Sequence, residues 1–275
     1  MNRRRSSYLA TVFSFIVVII LLAPIIISVA MSFTTSDTLG FPPVGFGLKW
    51  YQAVISEAKW QDRLPVSITV AVLSSLISTS IGTLAAFALV RSKIRGSNLI
   101  STLFIAPMIV PAVVLATGMY FVWAKGWSLG AIVIGGKLVG TITGLVLADI
   151  VIAIPLPFIL VRASLANLDK TLELAAKNLG ASPVTTFMTI TFPLILPGIL
   201  SGLIFAFMTS WDEVVIASFL SSPRVSTVPV AIFQQLRETL DPSAAAISSM
   251  LLLVGIILVS LLSLTRRKPA EIPEE

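Results

Sequence analysis

The segment LDKTLELAAKNLGASPVTTFMTITFP, from Leu168 to Pro193, is a polar interruption between two long apolar stretches. It combines a run of small residues with a glycine, a pattern that favours a short helix ending in a turn. The flanking apolar stretches are long enough to cross a bilayer, so the interruption is predicted to lie outside it. We call this segment the elbow, and we expect another protein to hold it.

The composition of the whole chain is that of a membrane protein. Apolar residues make up 56% of the sequence and charged residues only 12%, whereas soluble domains carry about 25% charged residues. Long apolar runs, rather than ~10-residue alternating strands, favour an all-α fold. We therefore predict one membrane domain over 1–275, with the 168–193 loop outside the bilayer. Six segments of about 20 residues or more are the predicted spans: Tyr8–Met31, Val66–Val90, Leu99–Val122, Ile142–Val161, Leu194–Phe219 and Ala244–Leu264.

The basic residues predict an orientation. When the N-terminus is placed in the cytoplasm, the larger share of the 19 Lys and Arg residues falls on that same side. By the positive-inside rule, both termini and the elbow are then cytoplasmic. This bias also accounts for the net charge of +6 without nucleic-acid binding. The first apolar run exceeds the 7 to 15 residues of a signal-peptide core, so we expect an uncleaved span.

Several kinds of chemistry are excluded by what the sequence lacks. The chain has no Cys and no His, so we expect no disulfide, no zinc site and no Ser-His or Cys-His nucleophile pair. It also lacks the G-x-x-x-x-G-K-[ST] phosphate loop, so we expect this chain not to hydrolyse ATP by itself. We predict no catalytic residues, no metal and no cofactor of its own.

The elbow itself is predicted to be a helix, a turn and a second helix. Asp169 is a suitable N-cap, and Glu173 complements the helix dipole in the first turns. Gly180 is expected to end this helix in the left-handed conformation. Ser182 and Pro183 then provide a new N-cap and first helical residue. One face is predicted to carry small and apolar side chains that can sink into a groove of a partner: Leu168, Leu172, Ala175 or Ala176, and Leu179.

The elbow resembles the hallmark of the permease subunits of bacterial ATP-binding-cassette (ABC) importers. That hallmark is Glu-Ala-Ala, a Gly four residues after the second Ala, then nine residues, Ile, any residue, Leu and Pro. Ala175, Ala176, Gly180, Ile190 and Pro193 match it.

Two positions depart from the hallmark. Phe192 stands where Leu is usual, and Leu174 occupies the position of the Glu. The nearest carboxylate, Glu173, comes one residue earlier, which turns its side chain by ~100° around a helix.

The resemblance implies a type I ABC importer permease fold with six spans in a bacterial inner membrane. It implies that the elbow is the coupling helix, which docks in a cleft of a cytoplasmic ATPase dimer that binds ATP and Mg²⁺. It also implies a second, non-identical permease and an extracytoplasmic substrate-binding protein. The coupling residues it implies are Leu172, Glu173, Ala175, Ala176, Gly180, Ala181 and Ser182. The segment SWDEVVIASFLSSP (Ser210–Pro223) is most similar to the second permease of spermidine/putrescine importers.

Three acids fall within the predicted spans, Asp149 in the fourth and the pair Asp212 and Glu213 in the fifth. A carboxylate at mid-membrane costs at least ~2.5 to 3.5 kcal/mol, so such residues usually face a bundle interior or a pathway. We interpret them, with the neighbouring Trp211, as lining a path for a cation such as a polyamine. The alternative is that they pair with a second subunit and lock helices together. Adjacent residues point ~100° apart, so one of the pair is expected to serve packing or gating.

Other functions remain open at this point. A permease of this kind could carry opines, other amino-acid derivatives, aminophosphonates or metal ions. A stand-alone secondary transporter or cation channel could use the same acids as a relay, and a membrane anchor would need none of them. Co-purification of an ATPase would distinguish the importer from the stand-alone transporter.

Overall fold

The computed structural model describes residues 2–92, 94–129, 132–134, 136–239 and 241–265. Contacts between Cα atoms group the chain into two compact units. The first contains residues up to Asp62 together with Ile232–Val254, and the second contains Arg63–Ala231 and residues from Gly255 onward. The two units are described in turn.

The described residues form α-helices with short 3₁₀, π and β elements between them. In chain order the α-helices of the described residues are α1 (Asn2–Ser32), α2 (Lys49–Ser56), α3 (Ala58–Gln61), α4 (Arg63–Arg91), α5 (Ser97–Ile105), α6 (Ala112–Lys125), α7 (Ile142–Ala153), α8 (Pro155–Ala166), α9 (Lys170–Asn178), α10 (Pro183–Thr186), α11 (Phe192–Trp211), α12 (Val215–Leu220), α13 (Val228–Glu238) and α14 (Ser243–Thr265). A 3₁₀ turn covers Ala106–Met108 and a π-helix covers Phe187–Thr191. The predicted all-helical fold class is confirmed.

A two-stranded hairpin is the one addition to that prediction among the described residues. Trp127–Leu129 and Ile132–Ile134 pair antiparallel, with Trp127 opposite Ile134. Its second strand is a run of β-branched residues, which favour the extended conformation.

Five helical stretches are long and apolar enough to cross a membrane, and a bent pair of helices provides a sixth. The five are Thr11–Ser32, Ala58–Arg91, Ile142–Ala166, Pro183–Trp211 and Ser243–Leu261. The sixth combines Ser97–Met108 with Ala112–Lys125, which meet at 98°. The predicted number of six spans therefore holds when the bent pair counts as one.

The third predicted span, Leu99–Val122, is bent, with two helices that meet at a break between Met108 and Ala112. Pro107 lies within the 3₁₀ turn, and Pro111 is the N-cap of α6 with ψ at 133°. Proline removes a backbone donor and disfavours helix in the residue before it, so two prolines four residues apart interrupt the helix at this point.

The fifth predicted span, Leu194–Phe219, is also corrected. The helical stretch begins earlier, at Pro183, and ends at Trp211, where Asp212 takes the C-cap position. A separate short helix, α12, begins at Val215. Asp212 and Glu213 therefore lie at a break after the span, not inside it. The physical reason is that Glu213 accepts hydrogen bonds from the first amides of α12, which starts a new helix there.

The core of the second unit depends on close helix packing. A Cβ on Gly82 of α4 would lie 2.8 Å from the backbone nitrogen of Phe158, and one on Gly202 of α11 would lie 2.8 Å from Pro157 Cα. Glycine at these positions lets α8 approach both neighbours, as small residues do in membrane helix bundles. A buried cluster beside these contacts consists of Ala86, Phe158, Val161, Leu165 and Ile195.

The first unit is organised around two tryptophans and one lysine. The Trp50 indole N–H donates to the Ser36 carbonyl at 3.1 Å, and Trp60 is almost completely buried. Lys59 forms salt bridges with Glu57 at 3.0 Å and with Asp241 at 3.1 Å. The second of these joins α3 to the residues just before α14.

Candidate functional site

The elbow begins as predicted, with Asp169 as the N-cap of α9. Its carboxylate accepts the backbone N–H of Thr171 at 2.9 Å. This bond, together with the bond from the Thr171 hydroxyl, lowers the pKa of the exposed Asp169 carboxyl below its ordinary value. The first turn of the helix is therefore closed by a local contact.

The end of α9 is a Schellman turn. Gly180 has φ of +84°, and its N–H donates to the Lys177 carbonyl at 3.0 Å. The N–H of Ala181 reaches back to the Ala176 carbonyl at 3.0 Å. These are the two bonds that define this type of helix ending, and the left-handed glycine is the residue it requires.

The second helix of the elbow also starts where predicted. Ser182 Oγ accepts the N–H of Thr185 at 3.1 Å, and Pro183 is the first helical residue. From there the chain remains helical through the π-helix into α11, so the elbow is joined to the span without a loop.

The outer face of the elbow is apolar and exposed. Leu172 is 44% exposed, Leu174 57% and Leu179 89%. Of the two alanines that the sequence left open for this face, Ala175 is exposed whereas Ala176 is buried. Leucines at this level of exposure are unusual for a surface that faces only water.

Glu173 faces the opposite way. Its carboxylate pairs with the Arg91 guanidinium at the end of α4 and accepts the hydroxyl of Thr191 at 2.6 Å. The Glu173 and Arg91 side chains are each 19% exposed. Leu174, which stands at the hallmark acid position, is therefore exposed, and the acid beside it is engaged inside the chain.

Asp149 on α7 is buried, with 2% of its surface exposed. The Ser210 hydroxyl donates to one of its carboxylate oxygens. Its other oxygen, Oδ1, has no hydrogen-bond partner within the described part of the chain. The bond to Ser210 connects α7 with the last turn of α11.

The two acids after α11 have different surroundings. Asp212 is exposed, whereas Glu213 is partly buried. The Glu213 carboxylate accepts the N–H groups of Ile216 and Ala217, both at 2.7 Å. This difference agrees with the expectation that adjacent acids face apart.

Trp211 is 5% exposed, and its ring stacks against Phe207 with centroids 5.3 Å apart. The aromatic face proposed for a cation is thus packed inside the second unit in this conformation.

A cavity of about 490 Å³ lies beside the break in the third span. Its lining includes Glu213, Thr209 and the segment Pro107–Ala112. Two interrupted helices therefore meet at one cavity that carries a carboxylate. The structure places Glu213 at this cavity, while Asp149 lies deeper, against Ser210.

Sequence reasoning missed three residues that bind the predicted ones: Arg91, Thr191 and Ser210. Arg91 stands out in the sequence only as one of the 19 basic residues. Thr191 lies within the hallmark spacing and Ser210 within the segment similar to polyamine permeases, but neither position indicates a partner.

Comparison with known proteins places the chain in a family. Residues 78–269 match the model for the binding-protein-dependent transport system inner membrane component. The putrescine transport system permease protein PotI of Escherichia coli K12 is 31% identical over 244 residues, covering 86% of this chain and 83% of PotI. The spermidine/putrescine transport system permease protein PotC of Haemophilus influenzae is 30% identical over 262 residues, covering 95% and 97%.

The fold agrees with this placement. A chain of a bacterial ABC transporter that imports the acidic polysaccharide alginate superposes with a TM-score of 0.75 at 15% identity, covering 97% of this chain and 98% of that one. A chain of the MetNI methionine ABC transporter superposes with a TM-score of 0.51 at 17% identity, covering 74% and 89%. Since the family match spans most of the sequence, this multi-pass inner-membrane protein belongs to the binding-protein-dependent transport system inner membrane components, the permease subunits of ABC importers.

Proposed function

We propose that this permease subunit imports a polyamine, putrescine or spermidine, in a complex driven by ATP. The observation that carries this proposal is its similarity, over most of its length, to permeases of putrescine and spermidine/putrescine transport systems. Membership in an importer family argues against the stand-alone channel and the simple anchor. Opines, amino-acid derivatives, aminophosphonates and metal ions are alternatives that none of the named relatives supports.

The acids give the substrate class a physical basis. Glu213 lines the cavity beside the broken third span, and Asp212 is exposed next to it. A negative lining attracts a cation and repels an anion. Asp149 and Trp211, which are buried, would meet the substrate only if the helices around them moved apart. We assign the first contact with the amine to Asp212 and Glu213.

The elbow supports the partner assignments. Its outer face presents leucines to solvent, as a docking surface for a cytoplasmic ATPase dimer would. The ATPase would bind ATP and Mg²⁺, since this chain lacks the phosphate loop. This arrangement requires both termini to be cytoplasmic. A second, non-identical permease would complete the path, and an extracytoplasmic binding protein would deliver the substrate.

The test is transport by the reconstituted complex. The permease is expressed together with the proposed second permease and ATPase, purified, and placed in liposomes with the binding protein. Uptake of radiolabelled putrescine and spermidine is measured with and without internal ATP. We expect ATP-dependent uptake that excess unlabelled polyamine abolishes and excess opine does not. Uptake of an opine or an aminophosphonate in preference to either amine would contradict the proposal.

The Asp212→Asn variant refines the assignment of the acids. Loss of one negative charge at an exposed position should raise the polyamine concentration needed for half-maximal uptake while the complex assembles normally. Unchanged uptake by both Asp212→Asn and Glu213→Gln would remove these acids from the path.

A further inference from the structure

The carboxylate of Glu173 joins three helical segments. It pairs with Arg91 at the last residue of α4 and accepts the hydroxyl of Thr191 at the last residue of the π-helix. Glu173 itself lies in the first turn of α9. One side chain therefore connects α9 to the end of α4 and to the start of α11.

This connection is partly shielded from water. The Arg91 and Glu173 side chains are each 19% exposed, and Thr191 is 2% exposed. A fully exposed ion pair contributes little because solvent screens it and long side chains lose entropy. A pair that is mostly covered, with a hydroxyl donating to the same carboxylate, is screened less and is held in a defined geometry.

Few other contacts attach α9 to the rest of the unit. Of the nine residues of this helix, all of them described, Ala176 is the buried one. Leu172 and Leu174, on either side of Glu173, are exposed. Since little apolar surface is buried, the polar contact at Glu173 is the principal attachment of the helix to α4.

The position of the acid explains why it serves this purpose. A step of one residue along a helix turns the side chain by ~100°. The acid of the family hallmark would stand at position 174, which is exposed here and carries leucine. Moved to position 173, the carboxylate faces the spans, and the outer face of the elbow is left apolar.

We propose that Arg91, Glu173 and Thr191 form a clamp that makes α4 and α11 follow the elbow as one body. The proposal rests on the proposed function, in which an ATPase moves the elbow. In this arrangement Glu173 is a positioning residue: it transmits the displacement and does not touch the ATPase. Cutting the clamp would let ATP be hydrolysed while less substrate is moved.

The test compares transport with ATP hydrolysis in the reconstituted complex. Arg91→Gln and Glu173→Gln should each lower the putrescine imported per ATP hydrolysed by about fivefold, a factor within the range of couplings measured between contacting residues. The ATPase should co-purify as with the unmodified permease. The charge exchange Arg91→Glu with Glu173→Arg should restore much of the ratio. Arg95→Gln is the matched control, since it removes an exposed positive charge four residues after Arg91, in the loop that follows α4.

A second measurement does not depend on the substrate. The natural chain has no Cys, so Leu84→Cys on α4 and Lys177→Cys on α9 can carry two spin labels at exposed positions. We expect a narrow distance distribution that Arg91→Gln broadens and the charge exchange narrows again. The clamp would be overturned if Arg91→Gln left the distance distribution unchanged. It would also be overturned if the charge exchange restored neither the distance distribution nor the putrescine imported per ATP.

The two proposals fail in distinguishable ways. If no ATPase co-purifies with the unmodified permease, the docking function is wrong, whereas the spin-label distances still report on the clamp. If the ATPase co-purifies and Arg91→Gln imports as much putrescine per ATP as the unmodified permease, the docking function stands and the clamp is wrong.

Discussion

The elbow and the residues between α11 and α12, Asp212–Val214, are both interruptions of an apolar chain, yet their acids make different contacts. We call Asp212–Val214 the acidic break. In the elbow, Glu173 reaches across to α4 and the π-helix. At the acidic break, the Glu213 carboxylate accepts the backbone N–H groups of Ile216 and Ala217, three and four residues later in the chain. One acid attaches an element to its neighbours, and the other starts a helix.

The comparison teaches that the same residue type at an interruption can serve a distant or a local contact. A distant contact makes two segments move together, whereas a local cap leaves the interruption free to bend. We expect the elbow to act as a rigid lever and the acidic break to act as a joint. The following predictions test that contrast, from the largest expected effect to the smallest.

Gly180→Val should have the largest effect. Gly180 has φ of +84°, and no atom lies within 4 Å of a Cβ placed there. The expected damage is therefore conformational strain, about 1 to 2 kcal/mol for a side chain in the left-handed region, which would distort the docking surface. Polyamine uptake should be abolished, while the amount of permease in the membrane fraction stays normal.

The control for this variant is Gly180→Asn, because asparagine tolerates the left-handed conformation. It should retain most of the uptake. Normal transport by Gly180→Val would remove the elbow from coupling.

Ser210→Ala should destabilise the protein most among changes near the acidic break. It leaves a buried carboxylate, Asp149, without its hydroxyl donor. An unsatisfied buried polar group costs about 1 to 3 kcal/mol, and more when charged. The melting temperature in detergent should fall, and adding Asp149→Asn should recover part of the loss. Ser80→Ala, which alters an exposed serine of α4, should leave the melting temperature unchanged.

Glu213→Ala should have a smaller effect on stability. It removes the side-chain acceptor for the first amides of α12, and the loss of a helix cap costs about 1 kcal/mol. Glu213→Gln keeps one acceptor oxygen, so its melting temperature should lie between those of Glu213→Ala and the unmodified protein. If Glu213→Ala melted at a lower temperature than Ser210→Ala, Glu213 would do more than bind the amides at the start of α12.

The smallest effect concerns pH at the start of the elbow. The folded pKa of Asp169 lies below its ordinary value, so its cap is fully present above ~3.9, the ordinary value, and is lost as the pH falls through the folded pKa. Exchange protection of the Thr171 amide, corrected for the intrinsic rate, should decrease on acidification. In Asp169→Asn it should not depend on pH in this range.

Features with local causes could be predicted from the sequence. Asp169, Gly180 and Ser182 act within a few residues of themselves, and each has the role expected of it. The partners of the acids could not be predicted. Arg91 is 82 residues from Glu173, and Ser210 is 61 residues from Asp149. Such pairs depend on how the helices pack, which local patterns in a sequence do not reveal.

The span boundaries were missed for a related reason. The run from Val214 to Leu220 is as apolar as the helix before it, so hydropathy continues through the break. The interruption arises because the Glu213 carboxylate binds the backbone amides of Ile216 and Ala217. A single contact of this kind leaves no trace in the hydrophobic periodicity of the sequence. Pro107 and Pro111 explain why the third span is interrupted, but the positions of two prolines do not give the bend of 98°.

The π-helix at Phe187–Thr191 has a consequence for the aim of the elbow. Its hydrogen bonds run from i to i+5, so it accommodates one residue more than an α-helix would. Deleting one residue there would turn the π-helix into an α-helix and leave the flanking helices in nearly the same orientation. Deleting one residue from α10 would instead turn everything before it by ~100° about the helix axis. The π-helix is thus the place where the length between Gly180 and Pro193 can change while the exposed leucines keep their direction.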